Sequence, residues 1–490
     1  MSMYTRMEDV RDQSYNSNYI TALICNTCLG TLFFGYNMGV YNPTQSYLET
    51  YVFPNVSNSI VSLTASLIPI GAAVGSFFAS PIASRVGRLK AFIITDILSI
   101  IMTLFTIVPD LDLVLIGRFF VGICVGLNST LVPLYLHEIL PRETKGKVGS
   151  TIVLFLSLGI LLAYILGLNM PTDSTEIDDQ WWRIMYAFPI LFNITRLINL
   201  FKSFSFESPY YYILHDQTIE ASDVLTKIYV NFEAEAELFR LTQEKEKAQV
   251  NSLTFQDLLT PRYFGSLKIG CTLAAFVQLS GITGLLFYST SIFQAFEGGE
   301  ASRGPQVFTL IIGVVNAIGA LFTNQVIEKY GRKALLFFGE MSLTITLCLM
   351  SIIATLDLSA IWLKIVTLLF VLLFGISIGA VVWTYMAEIL MDLGLTVAVL
   401  AGWIGCSFVG IIYNWMVDLV GLANTFLVFG VVCAFGTYFI LDYIKETKGI
   451  GSFQSWNIYN NEDTIDGIKI PREVMLQRFQ QSSNTQRDLF

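Results

Sequence analysis

The sequence predicts an all-α integral membrane protein in which twelve transmembrane helices form two repeated halves of six. Of its 490 residues, 54% are hydrophobic and only 14% are charged, whereas roughly a quarter of the residues in soluble domains are charged. Twelve apolar stretches approach the ~20 residues that a helix needs to cross a bilayer. Short sequence boxes recur at matching places in the two halves.

The apolar stretches are separated by charged or turn-rich breaks, and we number them as spans 1 to 12. Acidic and basic residues are mixed before span 1, so this segment is neither a signal peptide nor a transit peptide, and we expect span 1 to stay in the mature protein. The spans cover residues 20–41, 60–83, 91–108, 113–136, 148–168, 182–200, 266–296, 307–327, 334–356, 361–390, 395–419 and 422–443.

These spans divide the chain into five parts. We predict an N-terminal segment (1–19), an N-terminal six-helix bundle (20–200), a helical linker (201–265), a C-terminal six-helix bundle (266–443) and a polar tail (444–490). Acids and bases alternate through residues 233–247 of the linker, a pattern typical of a solvated helix. An ordered polar tail needs a surface to dock on, so we consider a protein partner for residues 450–490, as in a larger membrane complex.

Lys and Arg residues gather in the short loops on one side of the membrane, which we call the basic side. Residues 84–90 contain three of them, whereas residues 42–59 and 171–181 on the opposite side contain none. The positive-inside rule predicts that the basic side, with both termini, faces the cytosol, or the matrix of an organelle. A glycosylation sequon at Asn55 on the opposite side favours the plasma membrane weakly, and an organelle inner membrane stays open.

The composition argues against several classes of protein. A net charge of −9 offers no basic surface for nucleic acid. Of the two histidines and seven scattered cysteines, only Cys25 and Cys28 have a CxxC spacing. They fall inside an apolar stretch where buried thiols are ordinary, so we predict neither a metal nor a cofactor. There is no phosphate-binding loop and no pairing of a nucleophile with a base. We therefore expect a protein that is not an enzyme and has no catalytic residues.

The two halves repeat each other. After span 2 the sequence reads SRVGRLK (84–90), and after span 8 it reads EKYGRKA (328–334). Span 4 ends in YLHE (135–138), and span 10 ends in YMAE (385–388). The arginines lie 244 residues apart (332 minus 88) and the glutamates 250 apart (388 minus 138). Six spans and a linker therefore map onto six further spans.

The longer motifs resemble those of one transporter family. Span 1 contains FGYNMGV (34–40), span 4 ends in PLYLHE (133–138), span 7 contains QLSGIT (278–283), and ETKG (446–449) follows span 12. In this order they resemble the sugar porters of the major facilitator superfamily, and within them the animal-type facilitative hexose transporters. The resemblance implies a 6+6 pseudo-symmetric major facilitator fold and a membrane carrier whose small-molecule substrate, a sugar, binds at mid-membrane between the halves, with lipid around them.

The resemblance also assigns roles to charged residues. In this family such residues latch the halves together on the basic side, and the contacts break when the cavity opens to that side. By position it implies latch roles for Arg88, Arg118, Glu138, Lys145, Glu207, Arg332, Glu388 and Glu446. Because loop 391–394 carries no base, we expect Glu388 to lack its partner in the C-terminal half.

Sugar recognition depends on hydrogen bonds from amides and hydroxyls, with aromatic rings against the apolar faces of the sugar. The resemblance places Gln278, Thr283, Tyr288, Asn316 and Trp383 at substrate-contacting positions. Other family positions are altered: Val277 and Ser157 stand in place of Gln, Thr283 in place of Asn, and Gly375 in place of an acid. Residues 379–382 replace the prolines of span 10, which predicts a more regular helix there.

Proton coupling requires an acid inside the membrane. Proton-coupled members of the family have one in span 1, where this chain has Asn37, and an amide does not titrate. Asp96 in span 3 and Glu340 in span 9 are the candidate proton sites that are left.

Three hypotheses follow. The first is facilitative uniport of a sugar or similar small polyol by alternating access. The second, suggested by the altered cavity positions, is a transport-inactive subunit with a structural or sensing role in a larger membrane complex. The third is proton-coupled symport through Glu340 or Asp96.

Overall fold

A computed structural model describes residues 15–54, 56–171, 180–229, 233–250, 255–296 and 303–449, with 458–459, 464–465 and 468–469 of the tail. The sequon residue Asn55, the first fourteen residues and most of the tail lie outside this part. The side chain of Lys145 is likewise outside it, although its backbone is helical.

The N-terminal half consists of six membrane-spanning segments. Span 1 is Ser17–Gly39, continued by Tyr41–Tyr47 and a π-helical turn at Leu48–Val52. Span 2 is Asn58–Val86, span 3 is Arg88–Thr106, span 4 is Leu111–Ile139, span 5 is Arg142–Gly167, and span 6 is Trp181–Ala187 with Ile190–Lys202.

The linker and the C-terminal half follow. The linker contains the helices Pro209–Leu214, Thr218–Ile228 and Glu233–Val250 and a 3₁₀ turn at Asp257–Leu259. Span 7 is Pro261–Leu279 with Ile282–Phe296, span 8 is Gly304–Tyr330, span 9 is Arg332–Thr355, and span 10 is Ala360–Ile376 with Ile378–Ile389. Spans 11 and 12 lie in Asp392–Tyr443, and the tail adds two antiparallel two-residue strands, Thr464–Ile465 and Ile468–Lys469.

Eleven helical segments of the described chain are long and apolar enough to cross a membrane. The last of them, Leu393–Tyr443, has 51 residues, which at 1.5 Å per residue is about 75 Å and enough for two crossings. Gly421 divides it with a φ of 81°, a backbone conformation that favours glycine. The described chain therefore has twelve spans, and the predicted all-α membrane architecture is confirmed.

Small residues allow close packing within the N-terminal half. A Cβ at Gly122 of span 4 would lie 2.5 Å from the carbonyl oxygen of Ile68 in span 2, and one at Gly126 would collide with the carbonyl of Ala72. Gly117 faces Thr106 of span 3 in the same way, at 2.7 Å from its Cγ2. The glycines of span 4 thus bring its backbone against two neighbouring spans.

Span 10 corrects one expectation from the sequence. Although it lacks the family's prolines, the helix is broken at Ser377, whose φ and ψ are −114° and −98°. Neighbouring packing explains the break: a Cβ at Gly339 of span 9 would collide with Ser377, and the Cα atoms of Gly319 and Gly375 bring spans 8 and 10 together. Clusters of Gly and Ser are a known alternative to proline at helix kinks.

Span 7 is broken as well. Gly281 has a φ of 84° and separates Pro261–Leu279 from Ile282–Phe296. A helix break at membrane depth frees backbone groups and redirects the side chains on either side of it. The polar residues that the sequence singled out in span 7 flank this break.

Candidate functional site

Gln278 and Thr283 stand on either side of the break in span 7 and contact each other. The hydroxyl of Thr283 donates a hydrogen bond to Oε1 of Gln278 at 2.8 Å. Span 11 packs against this pair: the hydroxyl of Thr283 lies 3.7 Å from Sγ of Cys406, and a Cβ at Gly405 would lie 3.2 Å from the Cβ of Gln278. The absence of a side chain at Gly405 therefore leaves room for the Gln278 amide.

Asn316 connects the two halves at mid-membrane. Its Nδ2 donates to the hydroxyl of Ser157 in span 5 at 3.3 Å, and both residues are buried. Ser157 occupies a position where the resemblance expects Gln, so a shorter side chain meets Asn316 directly. A substrate that uses the Asn316 amide has to replace this contact.

Tyr288 and Trp383 are placed differently. The hydroxyl of Tyr288 donates to the carbonyl of Gly410 at 2.8 Å, and its ring stacks on Tyr413 with centroids 5.5 Å apart. The Tyr288 hydroxyl is thus engaged by the protein itself. Trp383 is partly exposed, and a Cβ at Gly402 would lie 3.3 Å from its ring.

Aromatic residues also meet between the halves. Phe34 of span 1 lies against Trp403 of span 11, with ring centroids 5.3 Å apart. Trp403 lies two residues before Gly405, which packs on Gln278, so this aromatic pair and the neutral side chains of Gln278 and Thr283 lie along the same stretch of span 11. That chemistry suits an uncharged polyhydroxy compound better than an ion.

On the opposite side the halves are joined by Asn42, a residue that the sequence analysis missed. Its Nδ2 donates to the carbonyl of Leu286 and to the hydroxyl of Ser289, both at 2.7 Å, and its Oδ1 accepts from the Thr290 amide at 3.0 Å. Tyr164 of span 5 donates to the same Leu286 carbonyl at 2.8 Å. The signal in the sequence was a polar residue beside Pro43 at the end of an apolar span.

Nearer the opposite surface the halves are in contact again. Asn58 of span 2 donates to Asp418 of span 11 at 2.8 Å, and Asn414 donates to Ser62 at 3.3 Å. The opposite side is therefore closed in this conformation.

The basic-side box of the N-terminal half is centred on Glu138. Arg88 donates to it from Nε at 2.9 Å and from Nη2 at 2.5 Å, and the hydroxyl of Ser208 donates to it as well. Glu207 accepts hydrogen bonds from the amides of Leu89 at 2.9 Å and Lys90 at 3.4 Å. Burial raises the pKa of Glu207, and these amides lower it only in part.

The C-terminal half repeats this arrangement. Arg332 donates to Glu388 from Nε at 3.0 Å and from Nη2 at 2.6 Å, and the hydroxyl of Thr447 donates to Glu388 at 2.6 Å. Glu446 accepts from the amides of Arg332 at 2.9 Å and Lys333 at 3.0 Å. Burial raises the pKa of Glu446, but the surrounding amides outweigh it and leave the pKa below its ordinary value. The base expected in loop 391–394 is missing, as the sequence shows, but Glu388 still has a basic partner in this half, because Arg332 pairs with it.

Both box ion pairs join residues of one half. Arg88 pairs with Glu138 in the N-terminal half, and Arg332 pairs with Glu388 in the C-terminal half. Among the described side chains, each of these pairs therefore stabilises its own half. The opposite side is closed in the same conformation. The expected role of Lys145 stays a prediction, since its side chain is outside that set.

Arg118 corrects another expectation, because it does not lie with the boxes. Span 4 begins at Leu111 on the opposite side, and Arg118 is 21 residues (139 minus 118) before its basic-side end, about 30 Å along the helix. Its Nε donates to the Thr64 carbonyl at 2.6 Å, and its guanidinium lies 5.0 Å from the Tyr41 ring centroid. Arg118 therefore braces the opposite-side end of the N-terminal bundle.

The two candidate proton sites occupy equivalent positions but have different surroundings. Asp96 lies eight residues after Arg88 and Glu340 eight after Arg332. Asp96 is paired with the buried Arg196 of span 6, whose Nε donates to it at 2.8 Å. No charged group of the described residues pairs with Glu340, whose carboxyl faces the Cys433 thiol and Gly436 of span 12, where a Cβ would lie 2.7 Å from Oε1.

Comparison with known proteins decides the family. A family model described as "Sugar (and other) transporter" matches residues 23–455, which is most of the chain. The chain belongs to the sugar transporter family. As expected for this family, it is a multi-pass membrane transporter and not an enzyme.

Members of the family from distant organisms are similar over most of their length. The plastidic glucose transporter 4 of Arabidopsis thaliana is 29% identical over 450 residues, covering 90% of this chain and 80% of the relative. The glucose transporter GlcP of Staphylococcus epidermidis is 30% identical over 435 residues, covering 86% and 93%. The structure of the proton:xylose symporter XylE bound to 6-bromo-6-deoxy-D-glucose aligns with a TM-score of 0.78 at 24% identity, covering 91% and 100%. The predicted major facilitator fold is confirmed.

Proposed function

We propose that this sugar transporter is a facilitative uniporter that carries a neutral hexose or similar small polyol by alternating access. The observation that carries the proposal is the Gln278 and Thr283 pair at the break of span 7, bonded at 2.8 Å. It presents an amide and a hydroxyl where a helix break allows the two segments of span 7 to move. Two relatives whose names specify glucose support a hexose as the substrate.

The uniport part of the proposal rests on two acidic positions. Asn37 takes the place of the span 1 acid, and its Nδ2 donates to the Phe33 carbonyl of its own helix at 2.9 Å. Asp96 is held by Arg196 on both carboxyl oxygens, so its release would break a buried ion pair. Of the two candidate acids, Glu340 is the one without a charged partner, and the test below therefore includes Glu340→Gln.

The conformation fits one end of an alternating-access cycle. The opposite side is closed by Asn42 and Tyr164, while the box ion pairs stay within their own halves. We take the basic side as cytosolic and the membrane as the plasma membrane. Binding from the opposite side would then require the Asn42 contacts to open.

The test is transport in proteoliposomes that contain the full chain. We expect saturable uptake of D-glucose that a protonophore does not change and that Glu340→Gln leaves intact. Thr283→Val and Gln278→Ala should raise the half-saturation concentration roughly 5- to 150-fold, since each lost hydrogen bond to a buried partner costs roughly 1–3 kcal/mol. The matched control is Thr437→Val, because the Thr437 hydroxyl donates only to the Cys433 carbonyl of its own helix in span 12, at 2.9 Å.

Separate results would contradict separate parts of the proposal. Uptake that stops with the protonophore or with Glu340→Gln would replace uniport by proton coupling. An absence of saturable uptake for hexoses, pentoses and polyols alike would favour the transport-inactive subunit. Equal effects of Thr283→Val and Thr437→Val would remove Thr283 from the binding site.

A further inference from the structure

Two residues of the polar tail return to the basic side of the C-terminal half. The hydroxyl of Tyr459 lies 2.5 Å from the hydroxyl of Tyr385 and accepts a hydrogen bond from the Lys445 amide at 2.7 Å. The Lys445 ammonium donates to the carbonyl of Ile458 at 2.9 Å and lies 5.4 Å from the Tyr459 ring centroid. Burial raises the pKa of Tyr459, so its hydroxyl stays neutral and keeps its donor proton.

The docked tyrosine touches three separate parts of this half. Tyr385 belongs to the YMAE box at the end of span 10, and Lys445 follows span 12. On the third side, the carbonyl of Tyr459 lies so close to Gly265, near the start of span 7, that a Cβ there would collide with it. Glycine at this position therefore makes room for the tail.

Among the described residues of this half, spans 7 and 10 are each broken, at Gly281 and Ser377. Each break leaves a basic-side segment that can change its angle to the rest of its span. Tyr459 touches both of these segments, one through Gly265 and the other through Tyr385. A movement of either segment relative to the other must therefore disturb the docked tyrosine.

We propose that Tyr459 is an internal strap, a built-in regulatory contact that slows the rearrangement of spans 7 and 10 while it is docked. This inference rests on the proposed alternating-access function. The surface on which the tail docks is then part of this same chain. An external protein that bound the tail would act by pulling Tyr459 away from Tyr385.

Two variants release the strap from its two sides. Tyr459→Phe removes the hydroxyl that contacts Tyr385 and Lys445. Gly265→Ala leaves the tail unchanged but places a methyl group against the Tyr459 carbonyl. Because alanine favours helix more than glycine does, loosening of span 7 in Gly265→Ala would come from the displaced tail. Gly149→Ala is the matched control, since nothing lies within 4 Å of the added Cβ.

The first readout is hydrogen exchange of the full chain in nanodiscs, which needs no substrate. We expect amides in 263–270 and 384–390 to exchange roughly 2- to 12-fold faster in Tyr459→Phe and Gly265→Ala, the factor for one lost net hydrogen bond. The double variant should exchange no faster than either single variant, because both act through one contact. Gly149→Ala should match the parent.

The second readout is glucose counterflow in proteoliposomes, which we expect both variants to accelerate by a similar factor. Unchanged exchange in both variants, additive effects in the double variant, or slower counterflow would each overturn the strap. If neither the parent nor any variant carries a hexose, a pentose or a polyol, the proposed sugar transport fails, and the exchange measurement alone then decides the strap.

Discussion

Replacing Asp96 by Asn should destabilise the protein far more than replacing Glu340 by Gln, although the two acids hold equivalent positions in the repeat. Asp96 and Arg196 are both fully buried, with side-chain exposures of 0% and 1%. Arg196 also donates to Asn128 at 2.7 Å and lies 5.0 Å from the Phe92 ring centroid. Asp96→Asn would leave this guanidinium without its carboxylate, whereas Glu340→Gln breaks no ion pair.

The magnitude follows from the burial. Removing one partner of a buried ion pair costs about 3–5 kcal/mol. We expect less than ~1 kcal/mol for Glu340→Gln, because no ion pair is lost and the amide oxygen can still accept from the Cys433 thiol. With an unfolding entropy near 2.1 cal/mol/K per residue, 490 residues give about 1 kcal/mol/K, so the Asp96→Asn cost corresponds to about 3–5 °C in Tm.

The assay is thermal unfolding of purified parent and variants in one detergent, followed by size-exclusion recovery. The double variant Asp96→Asn with Arg196→Gln should regain at least half of the lost Tm, because it removes the uncompensated charge. Equal Tm changes for Asp96→Asn and Glu340→Gln, or a double variant whose loss equals the sum of the single losses, would refute this account of the pair.

Three further outcomes are expected. Asn42→Ala removes about 1–2 kcal/mol of hydrogen bonding, so it should shift the conformational equilibrium about 5- to 30-fold towards an open opposite side. Spin-label distances across that side would measure the shift. Glu446→Gln should lower the free energy of unfolding by about 1 kcal/mol at neutral pH. The pKa of Glu446 in the folded protein lies below the ordinary 4.5, so the stability difference between variant and parent should vanish as pH falls from 4.5 through that lower value. A series of Tm measurements against pH would check this. Gly339→Ala should cost about 1–3 kcal/mol by overpacking against Ser377, and Ser377→Gly should restore the Tm.

Each of these has an outcome that contradicts it. Unchanged distances in Asn42→Ala would mean that other contacts close the opposite side. If Glu446→Gln stays less stable than the parent well below pH 4, the negative charge of Glu446 is not what stabilises its bonds to the amides of Arg332 and Lys333. Failure of Ser377→Gly to rescue Gly339→Ala would place the clash elsewhere.

The sequence predicted the architecture because hydrophobicity and loop charge act along the chain. Twelve spans follow from apolar length, and the repeated boxes showed that Arg88 and Arg332, like Glu138 and Glu388, hold equivalent positions in the two halves. The sequence was less successful in placing a charged residue at the correct depth along its helix. Arg118 shares its type with the box arginines, but its distance from the end of span 4 puts it at the other side of the membrane.

Contacts between distant segments were beyond the sequence. Asn42 gains its role only when Leu286 and Ser289 of span 7 face it, and Tyr459 only when span 10 ends beside it. Arg196 could have been found, because a charged residue inside an apolar span needs a partner, and of the two candidate intramembrane acids Asp96 lies in the same half. The replacements at Ser157 and Thr283 were visible, but their contacts with Asn316 and Gln278 required the fold.

The break of span 10 is held by its neighbours rather than by the covalent chain. A proline at such a site has no N–H to give, so its kink persists wherever the helix moves. Ser377 keeps its amide, which here donates to the Leu373 carbonyl at 3.1 Å and to Phe374 at 3.3 Å. Once span 9 withdraws from it, this residue can join a continuous helix. We therefore expect two attainable shapes for span 10, bent and straight, with the packing of span 9 against Ser377 favouring the bent one.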